Sequence, residues 1–295
     1  MASSYWDSTQ ACQWLVDDAT LSASRNKHLQ YMSADDLVRA MLYYSNLIQH
    51  ACKRLHIRQP VVGTALVYWR RFFTKNALFE IDPMLVAGTA IYVACKIEEC
   101  PHHIRNVASE MAALGGDLFP YDAAAIADFE YYLIEELDFS LIMFHPYRPL
   151  QQILEKLHLT KKYLQPAWYV INDTYKTDLM LIYPPHMIAL AAIFISTSLP
   201  DSDTTAKINA EKGDTTTATQ SIITSFFLDL SVDMQDILAI SQHIFNFYGI
   251  WKNYSEEKIR AILNSFLKLP ITTPDVFLSK PKLTPTREKT APSSK

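Results

Sequence analysis

Two charged residues, Lys96 and Glu130, stand among sequence neighbours that are otherwise apolar. Lys96 follows the run MLVAGTAIYVAC, whose apolar residues occupy nearly every face of a helix. The helical stripe that contains Glu130 consists of Ile126, Ala127, Glu130, Leu133, Ile134 and Leu137. A carboxylate buried without a partner is costly, so Glu130 needs a cation, and Lys96 is a candidate. Such a pair could offer its spare hydrogen-bonding atoms to another protein's backbone, and an internal ion pair without a binding role is the alternative.

Two other groups could do chemistry but have the wrong spacing for it. Cys95 and Cys100, followed by His102 and His103, match no common zinc site, and Cys95 lies among core alanines. The pairs Asp17-Asp18 and the segment NDTYKTD hint at a magnesium-diphosphate enzyme, but the further acids that share the metal are missing. We therefore expect no metal, no cofactor and no catalytic site.

Composition favours an all-α intracellular protein with a protein partner. The 295 residues include 49% apolar residues and only six glycines, too few for many tight hairpins or phosphate-binding loops. The net charge is −4, with both signs interspersed, so we expect no nucleic-acid partner. No stretch resembles a signal peptide or a membrane span, and the four cysteines form no paired framework.

Proline and polar residues divide the chain into helices that repeat in two halves. The first half contains predicted helices at Ala34–Leu55, Pro60–Asn76, Asp82–Glu99, Ile104–Leu114 and Tyr121–Leu137. The second contains a helix led by Pro149, then Lys162–Asp178, Pro185–Ser198, Ile222–Leu230 and Val232–Phe247. The third helix of each half is apolar on most sides and should run through the centre of its bundle.

These patterns predict two tandem five-helix units with short additions at both ends. The predicted divisions are an N-terminal helical segment 1–33, a first unit 34–143, a second unit 144–250, a C-terminal helix 251–269 and a disordered tail 270–295. The N-terminal segment has an amphipathic stretch from Asp7 to Lys27. A polar, threonine-rich stretch at about 199–221 is predicted to be a disordered surface insertion.

Several segments resemble the cyclin family over almost the whole chain. VACKIEE resembles the third-helix motif of the cyclin box, and FEYYLIEELDF resembles its fifth-helix motif. Within the family, the most specific segments are similar to the C-type cyclins of the Mediator kinase: YWDSTQACQWLVDD, IDPMLVA, HPYRPLQQIL, INDTYKTDLMLIYPPHMIALA and LSVDMQDIL. The resemblance implies a nuclear regulatory subunit that activates a cyclin-dependent kinase in RNA polymerase II transcription and does no chemistry itself.

The resemblance also implies two binding sites. The lysine and glutamate matching Lys96 and Glu130 bind the kinase backbone near its activating helix, which they hold inward. Glu98 and Glu99 could meet kinase arginines that otherwise expect an activating phosphate, or they are solvated helix-end acids. The second site, a groove between the two boxes for other Mediator kinase-module subunits, is formed by Trp6, His145, Tyr147, Arg148, Asn172 and Asp173. For Asn172 and Asp173, local capping is the alternative.

One segment departs from the family pattern, and two alternative functions remain open. VRAML, 38–42, resembles the substrate-docking motif of cell-cycle cyclins, but Ser45 stands where those cyclins have a tryptophan. Peptide docking is therefore not expected, and we expect Val38 and Met41 to be core residues. The rivals are a cyclin of another transcriptional kinase and a DNA-binding factor of the TFIIB type, which needs a basic groove and usually a zinc ribbon that this chain lacks.

Overall fold

The computed structural model describes residues 4–198 and 213–266, and within these ranges the chain forms helices and no strand. The helices are α1 Thr9–Cys12, α2 Asp18–Leu29, α3 Ala34–Arg54, α4 Gln59–Lys75, α5 Pro83–Ile97, α6 Ile104–Gly115, α7 Ala123–Glu136, α8 Tyr147–Lys156, α9 Thr160–Thr174, α10 Leu179–Ile182, α11 Pro185–Ser198, α12 Gly213–Asp229, α13 Met234–Lys252 and α14 Glu256–Phe266. The all-α prediction is confirmed. None of the described helices has the length and apolar character that a membrane span requires.

Short polar side chains begin many of the helices. The caps are Ser8, Asp17, Ser33, Asp82, His103, Asp122 and Asp233, and each accepts a hydrogen bond from a backbone amide of the first turn. Helices α4 and α5 also carry proline in their first turn, where the missing amide hydrogen costs nothing. These local signals explain why most predicted helix starts lie within two residues of the observed ones.

Within residues 4–198 and 213–266, four helices are followed closely by a non-glycine residue in the left-handed conformation. His56, Glu99, Asp138 and His158 have φ of 55°, 52°, 50° and 57°. In α5 the amide of Cys100 donates to the Cys95 carbonyl at 2.9 Å, and the amide of Glu99 donates to Lys96. This pair of bonds is the Schellman arrangement, in which glycine is usual. Because the chain has only six glycines, other residues occupy this position, and each pays the steric cost of a Cβ atom at positive φ.

Helix α5 lies at the centre of the first unit and α11 at the centre of the second. Helix α5 packs against α3, α4, α6 and α7, and its residues from Pro83 to Ala94 are buried except Tyr92. Helix α11 packs against α8, α9 and α13, and Phe194 meets Phe227 of α12 edge-on. This arrangement was predicted from the lack of a polar face on both helices.

The N-terminal segment differs from its prediction because tertiary contacts break it. It forms two helices, α1 and α2, and not one amphipathic stretch. Between them, Trp14 is buried beneath the cations of Arg71 and Lys75, and the amide of Val16 donates to the Leu181 carbonyl at 2.9 Å. Residues 13–17, which make these contacts, are not helical, and Asp17 then caps the second helix.

The second half contains three further differences. A short helix, α10, was not predicted. Helix α12 begins at Gly213, whereas the sequence predicted a disordered insertion up to 221, so that prediction is wrong for 213–221. Once Ile223 and Phe227 are buried, extending a helix toward its start is inexpensive even through threonines. Of the predicted C-terminal helix 251–269, residues 251–252 belong to α13 and Glu256–Phe266 form α14. Residues 267–269, the rest of the insertion, 199–212, and the predicted tail, 270–295, lie outside the described residues.

A cluster of three charges, which we name the charged clamp, joins the two units. Arg25 of α2 and Arg70 of α4 both bind one carboxylate oxygen of Asp178, at 2.8 Å and 2.6 Å. Arg70 is buried and also donates from Nε to the Tyr175 carbonyl at 3.1 Å. Burial alone would raise the pKa of Asp178, but Arg25 and Arg70 hold that pKa at about 2. The clamp fixes the second unit against the first and the N-terminal segment.

Candidate functional site

Lys96 and Glu130 form an ion pair at the surface of the first unit. Lys96 lies in the last turn of α5, Glu130 lies in the middle of α7, and Lys96 Nζ binds Glu130 Oε1. The lysine side chain is 45% exposed, whereas the glutamate side chain is only 13% exposed. The hydrogen bond that Lys96 donates to Glu130 raises the pKa of Lys96 against the effect of desolvation. The pairing predicted from the helical stripe is therefore present, with the lysine side open to solvent.

Exposed apolar side chains lie on the elements that carry this pair. Ile97 follows Lys96, Tyr131 follows Glu130 and is 80% exposed, and Phe139 and Ile142 are exposed in the segment after α7. Exposed apolar side chains next to a polar pair, as Ile97 and Tyr131 are in sequence, are typical of a protein interface. Sequence reasoning missed them because it followed the buried stripe, although apolar residues off that stripe in FEYYLIEELDF are a usable signal.

Glu98 and Glu99 point to different places, although the sequence predicted one shared role. Glu99 occupies the left-handed position after α5, is exposed and makes no ion pair among the described residues. Glu98 is half-buried, and its Oε1 accepts a hydrogen bond from Thr64 at 2.7 Å and lies 3.5 Å from His145 Nε2. Burial would raise the pKa of Glu98, but the bonds from His145 and Thr64 outweigh it and lower that pKa. The structure thus separates Glu98 from the exposed acid beside it.

Glu98 is the end of a series of hydrogen bonds that we name the hydroxyl chain, formed by Tyr175, His145, Thr64 and Glu98. His145 Nδ1 lies 2.5 Å from the Tyr175 hydroxyl, and His145 Nε2 lies 3.1 Å from the Thr64 hydroxyl. His145 precedes α8, so this residue, predicted for the second site, connects to Glu98, predicted for the first. The hydroxyl chain therefore crosses between the two units.

A cleft of about 490 Å³ lies between α3 and α9 and contains two predicted second-site residues. It is lined by Gln49, His50, Lys53, Ile57, Gln59, Val62, Tyr169, Asn172 and Asp173. Tyr147 is buried and donates from its hydroxyl to Asn172 Oδ1 at 2.8 Å. Its ring stacks on Trp168 with centroids 4.2 Å apart. Tyr147 is therefore a buried, stacked ring that positions Asn172 from below, and its predicted place around the second site stays a prediction.

Asp173 of α9 is hydrogen-bonded to α13 of its own unit, whereas Trp6 and Arg148 do not line the cleft. Tyr248 of α13 donates to Asp173 at 3.0 Å, and desolvation raises the pKa of Asp173 against the effect of that bond. Trp6 is 63% exposed and meets His186 edge-on with centroids 5.5 Å apart. Arg148 is exposed at the start of α8. The structure therefore divides the predicted second site into a cleft, a buried support and an exposed tryptophan.

The VRAML stretch offers no docking floor at Ser45. Ser45 is fully buried, donates to the Met41 carbonyl at 2.7 Å and accepts from Arg70 Nη2 at 3.3 Å. The guanidinium of the charged clamp thus fills the space beside Ser45. Met41 is buried as predicted, but Val38 is 39% exposed, so its predicted core role is wrong.

The residues considered for metal chemistry have other roles. Cys95 is buried, and burial raises its pKa to about 12, which keeps the thiol protonated. Asp17 caps α2, and Asp178 belongs to the charged clamp. Across residues 4–198 and 213–266, no three His, Cys, Asp or Glu side chains are grouped to hold a metal ion.

Comparisons with known sequences agree with these observations. The family model of the cyclin N-terminal domain matches residues 14–142. The chain is 34% identical over 286 residues to cyclin-C of Rattus norvegicus, covering 93% of this chain and 94% of that protein. It is 36% identical over 285 residues to the RNA polymerase II holoenzyme cyclin-like subunit of Yarrowia lipolytica, covering 88% and 98%.

Solved structures share the fold at lower sequence identity. A chain of the yeast TFIIK complex (Kin28/Ccl1/Tfb3) superposes with a TM-score of 0.62 at 22% identity, covering 82% of this chain and 99% of that one. A chain of the Chaetomium thermophilum CAK complex gives a TM-score of 0.63 at 18% identity, covering 90% and 85%. With relatives above 30% identity along nearly its whole length, this chain belongs to the cyclin family.

Proposed function

We propose that this chain is the regulatory cyclin of the cyclin-dependent kinase of the Mediator complex and acts in the nucleus in transcription by RNA polymerase II. The observation that carries the proposal is the Lys96–Glu130 pair with exposed apolar side chains on the same elements. The names of the relatives, cyclin-C and RNA polymerase II holoenzyme cyclin-like subunit, support a transcriptional role. The cyclin itself does no chemistry.

The pair is suited to binding a backbone. Lys96 has three ammonium protons and directs one to Glu130, so two remain for carbonyl groups of a partner. Glu130 is fixed by the pair and keeps a second oxygen for a backbone amide. Ile97 and Tyr131 supply apolar area beside these groups. In this proposal the cyclin shifts a kinase toward its active conformation by binding that conformation more tightly.

Co-purification of the kinase with a double variant tests this surface. Lys96→Ala with Glu130→Ala should lower kinase affinity by about 30-fold or more, because both ends of a central polar contact are removed. A matched control is Arg54→Ala with Glu110→Ala, which removes another ion pair, between α3 and α6. Helical content should be unchanged in both. Normal kinase binding by the first variant would contradict the proposed interface.

For the second site, we propose that the cleft and Trp6 bind other subunits of the Mediator kinase module. The cleft offers polar groups at Asn172 and Asp173, and Trp6 presents a large ring with little cover from this chain. Trp6→Ala should spare kinase binding and weaken the rest of the module, with Tyr31→Ala as the control for loss of an exposed ring. Loss of both partners in Trp6→Ala would show that the two sites are not separate.

Mass spectrometry of the co-purified kinase distinguishes the alternatives. A kinase other than that of Mediator would make this chain the cyclin of another transcriptional kinase. Binding to promoter DNA by the purified chain, without a kinase, would favour the TFIIB-type alternative.

A further inference from the structure

With a neutral imidazole at His145, the hydroxyl chain has a single consistent arrangement of protons. The Thr64 hydroxyl donates to Glu98, so it must accept the proton of His145 Nε2. A neutral imidazole with its proton on Nε2 has an acceptor at Nδ1, and the Tyr175 hydroxyl supplies the matching donor. The order is therefore Tyr175 to His145 to Thr64 to Glu98. Each of the three hydrogen bonds then joins one donor to one acceptor.

Each member is held by a different structural element. Thr64 is fully buried on α4, Glu98 caps the end of α5, His145 precedes α8, and Tyr175 is fully buried at the end of α9. Thr64 and Tyr175 are fully buried and the His145 side chain is 13% exposed, whereas Glu98 lies at the end of α5 among exposed residues. The buried members therefore set the position of Glu98.

A glycine on α4 provides room for the first member. A Cβ atom built on Gly63 would lie 2.8 Å from Cζ of the Tyr175 ring, a distance that a real side chain cannot adopt. Glycine within a helix costs about 1 kcal/mol relative to alanine, so its presence beside Thr64 needs a reason. The close approach of Tyr175 is that reason.

We infer that Glu98 is a positioning residue: through the hydroxyl chain, Tyr175 of the second unit holds the end of α5, and with it Lys96, in place. This inference rests on the proposed function for its consequence in kinase binding, and on the contacts alone for its structural part. Lys96 lies two residues before Glu98, and both follow the buried body of α5. Glu99, which faces solvent, keeps the direct role in kinase contact.

Hydrogen exchange in the free protein tests the structural part. Tyr175→Phe and Thr64→Val remove one hydroxyl each with little change in shape, and each should speed amide exchange at Glu98, Glu99 and Cys100 by about fivefold. Thr64→Ser restores the hydroxyl and should restore slow exchange. Glu99→Gln removes a neighbouring charge without touching the chain and should leave exchange unchanged. Unchanged exchange in both Tyr175→Phe and Thr64→Val would overturn the inference.

Double-mutant cycles on affinity for the Mediator kinase subunit test the functional part. Glu98→Gln and Tyr175→Phe should each weaken binding about fivefold, and together by no more than about fivefold, because they break the same chain. The fold-losses of affinity caused by Glu99→Gln and by Tyr175→Phe should instead multiply in the double variant. Independent effects of Glu98→Gln and Tyr175→Phe would mean that Glu98 acts by direct contact and would overturn the inference. A wild-type chain that binds no such kinase would refute the proposed function, and the exchange result would still decide the structural part.

Discussion

The charged clamp and the hydroxyl chain both tie α4 to the segment after α9, yet they do so by different physics. The clamp places two arginines on one carboxylate, so removing that carboxylate leaves buried charge. In the hydroxyl chain the carboxylate of half-buried Glu98 accepts from the Thr64 hydroxyl, and His145 connects that hydroxyl to the Tyr175 hydroxyl. Tyr175 connects the two, because its carbonyl accepts from Arg70 of the charged clamp and its hydroxyl binds His145 of the hydroxyl chain. The contrast indicates that the charged clamp stabilises the fold, whereas the hydroxyl chain positions Glu98.

Removing the clamp's carboxylate should have the largest effect. Asp178→Ala leaves buried Arg70 without its ion pair and should lower the free energy of unfolding by about 3–5 kcal/mol. Urea denaturation measures the change. Asp128→Ala, an exposed aspartate of α7, is the control and should change stability by less than about 0.5 kcal/mol. An equally small loss of stability in Asp178→Ala and Asp128→Ala would contradict the stabilising role of the charged clamp.

Filling the space beside Tyr175 should have an intermediate effect. Gly63→Ala forces the Tyr175 ring away and should destabilise the fold by about 1–3 kcal/mol through overpacking. Gly249→Ala on α13 is the matched control, since a Cβ there meets nothing within 4 Å, and it should stabilise the protein by up to about 1 kcal/mol. Thermal unfolding of both variants provides the comparison. Equal shifts of the same sign would show that Tyr175 tolerates displacement.

Lowering the pH should reduce the contribution of the charged clamp to the free energy of unfolding, and this effect should be the smallest of the three. The folded pKa of Asp178 is about 2, below its ordinary value of 3.8, so its contribution is complete above that ordinary value and is lost as pH falls toward the folded value. The stability difference between the wild type and Asp178→Asn should shrink by about 1 kcal/mol between pH 5 and pH 3. Urea denaturation at the two pH values measures it. A difference that grows as the pH falls would contradict the assigned direction of the pKa shift.

Much of the fold could be predicted because its signals are local. Proline in the first turns of α4 and α5 and the cap at Asp82 locate these helices, and the polar residue on an apolar stripe indicated the pairing of Glu130 with Lys96. These features depend on spacing along one helix. They need no knowledge of what the helix packs against.

The features that were missed depend on contacts between distant segments. Glu98 turns inward because it accepts from Thr64 and lies against His145, both of which are distant in sequence. Tyr147 is buried because Trp168 stacks on it, and the break after α1 follows from the contact of Val16 with Leu181. Periodicity reports which face of a helix is apolar, but it does not report which partner covers that face.

The left-handed helix ends have a consequence for engineering this protein. His56 and His158 are exposed at such positions and belong to neither the clamp nor the hydroxyl chain. A non-glycine side chain in this conformation costs about 1–2 kcal/mol. Glycine avoids that cost, but its greater freedom in the unfolded chain offsets part of the gain. Both positions therefore form a thermostability reserve, since glycine there would raise the melting temperature without changing Lys96, Glu130 or the cleft.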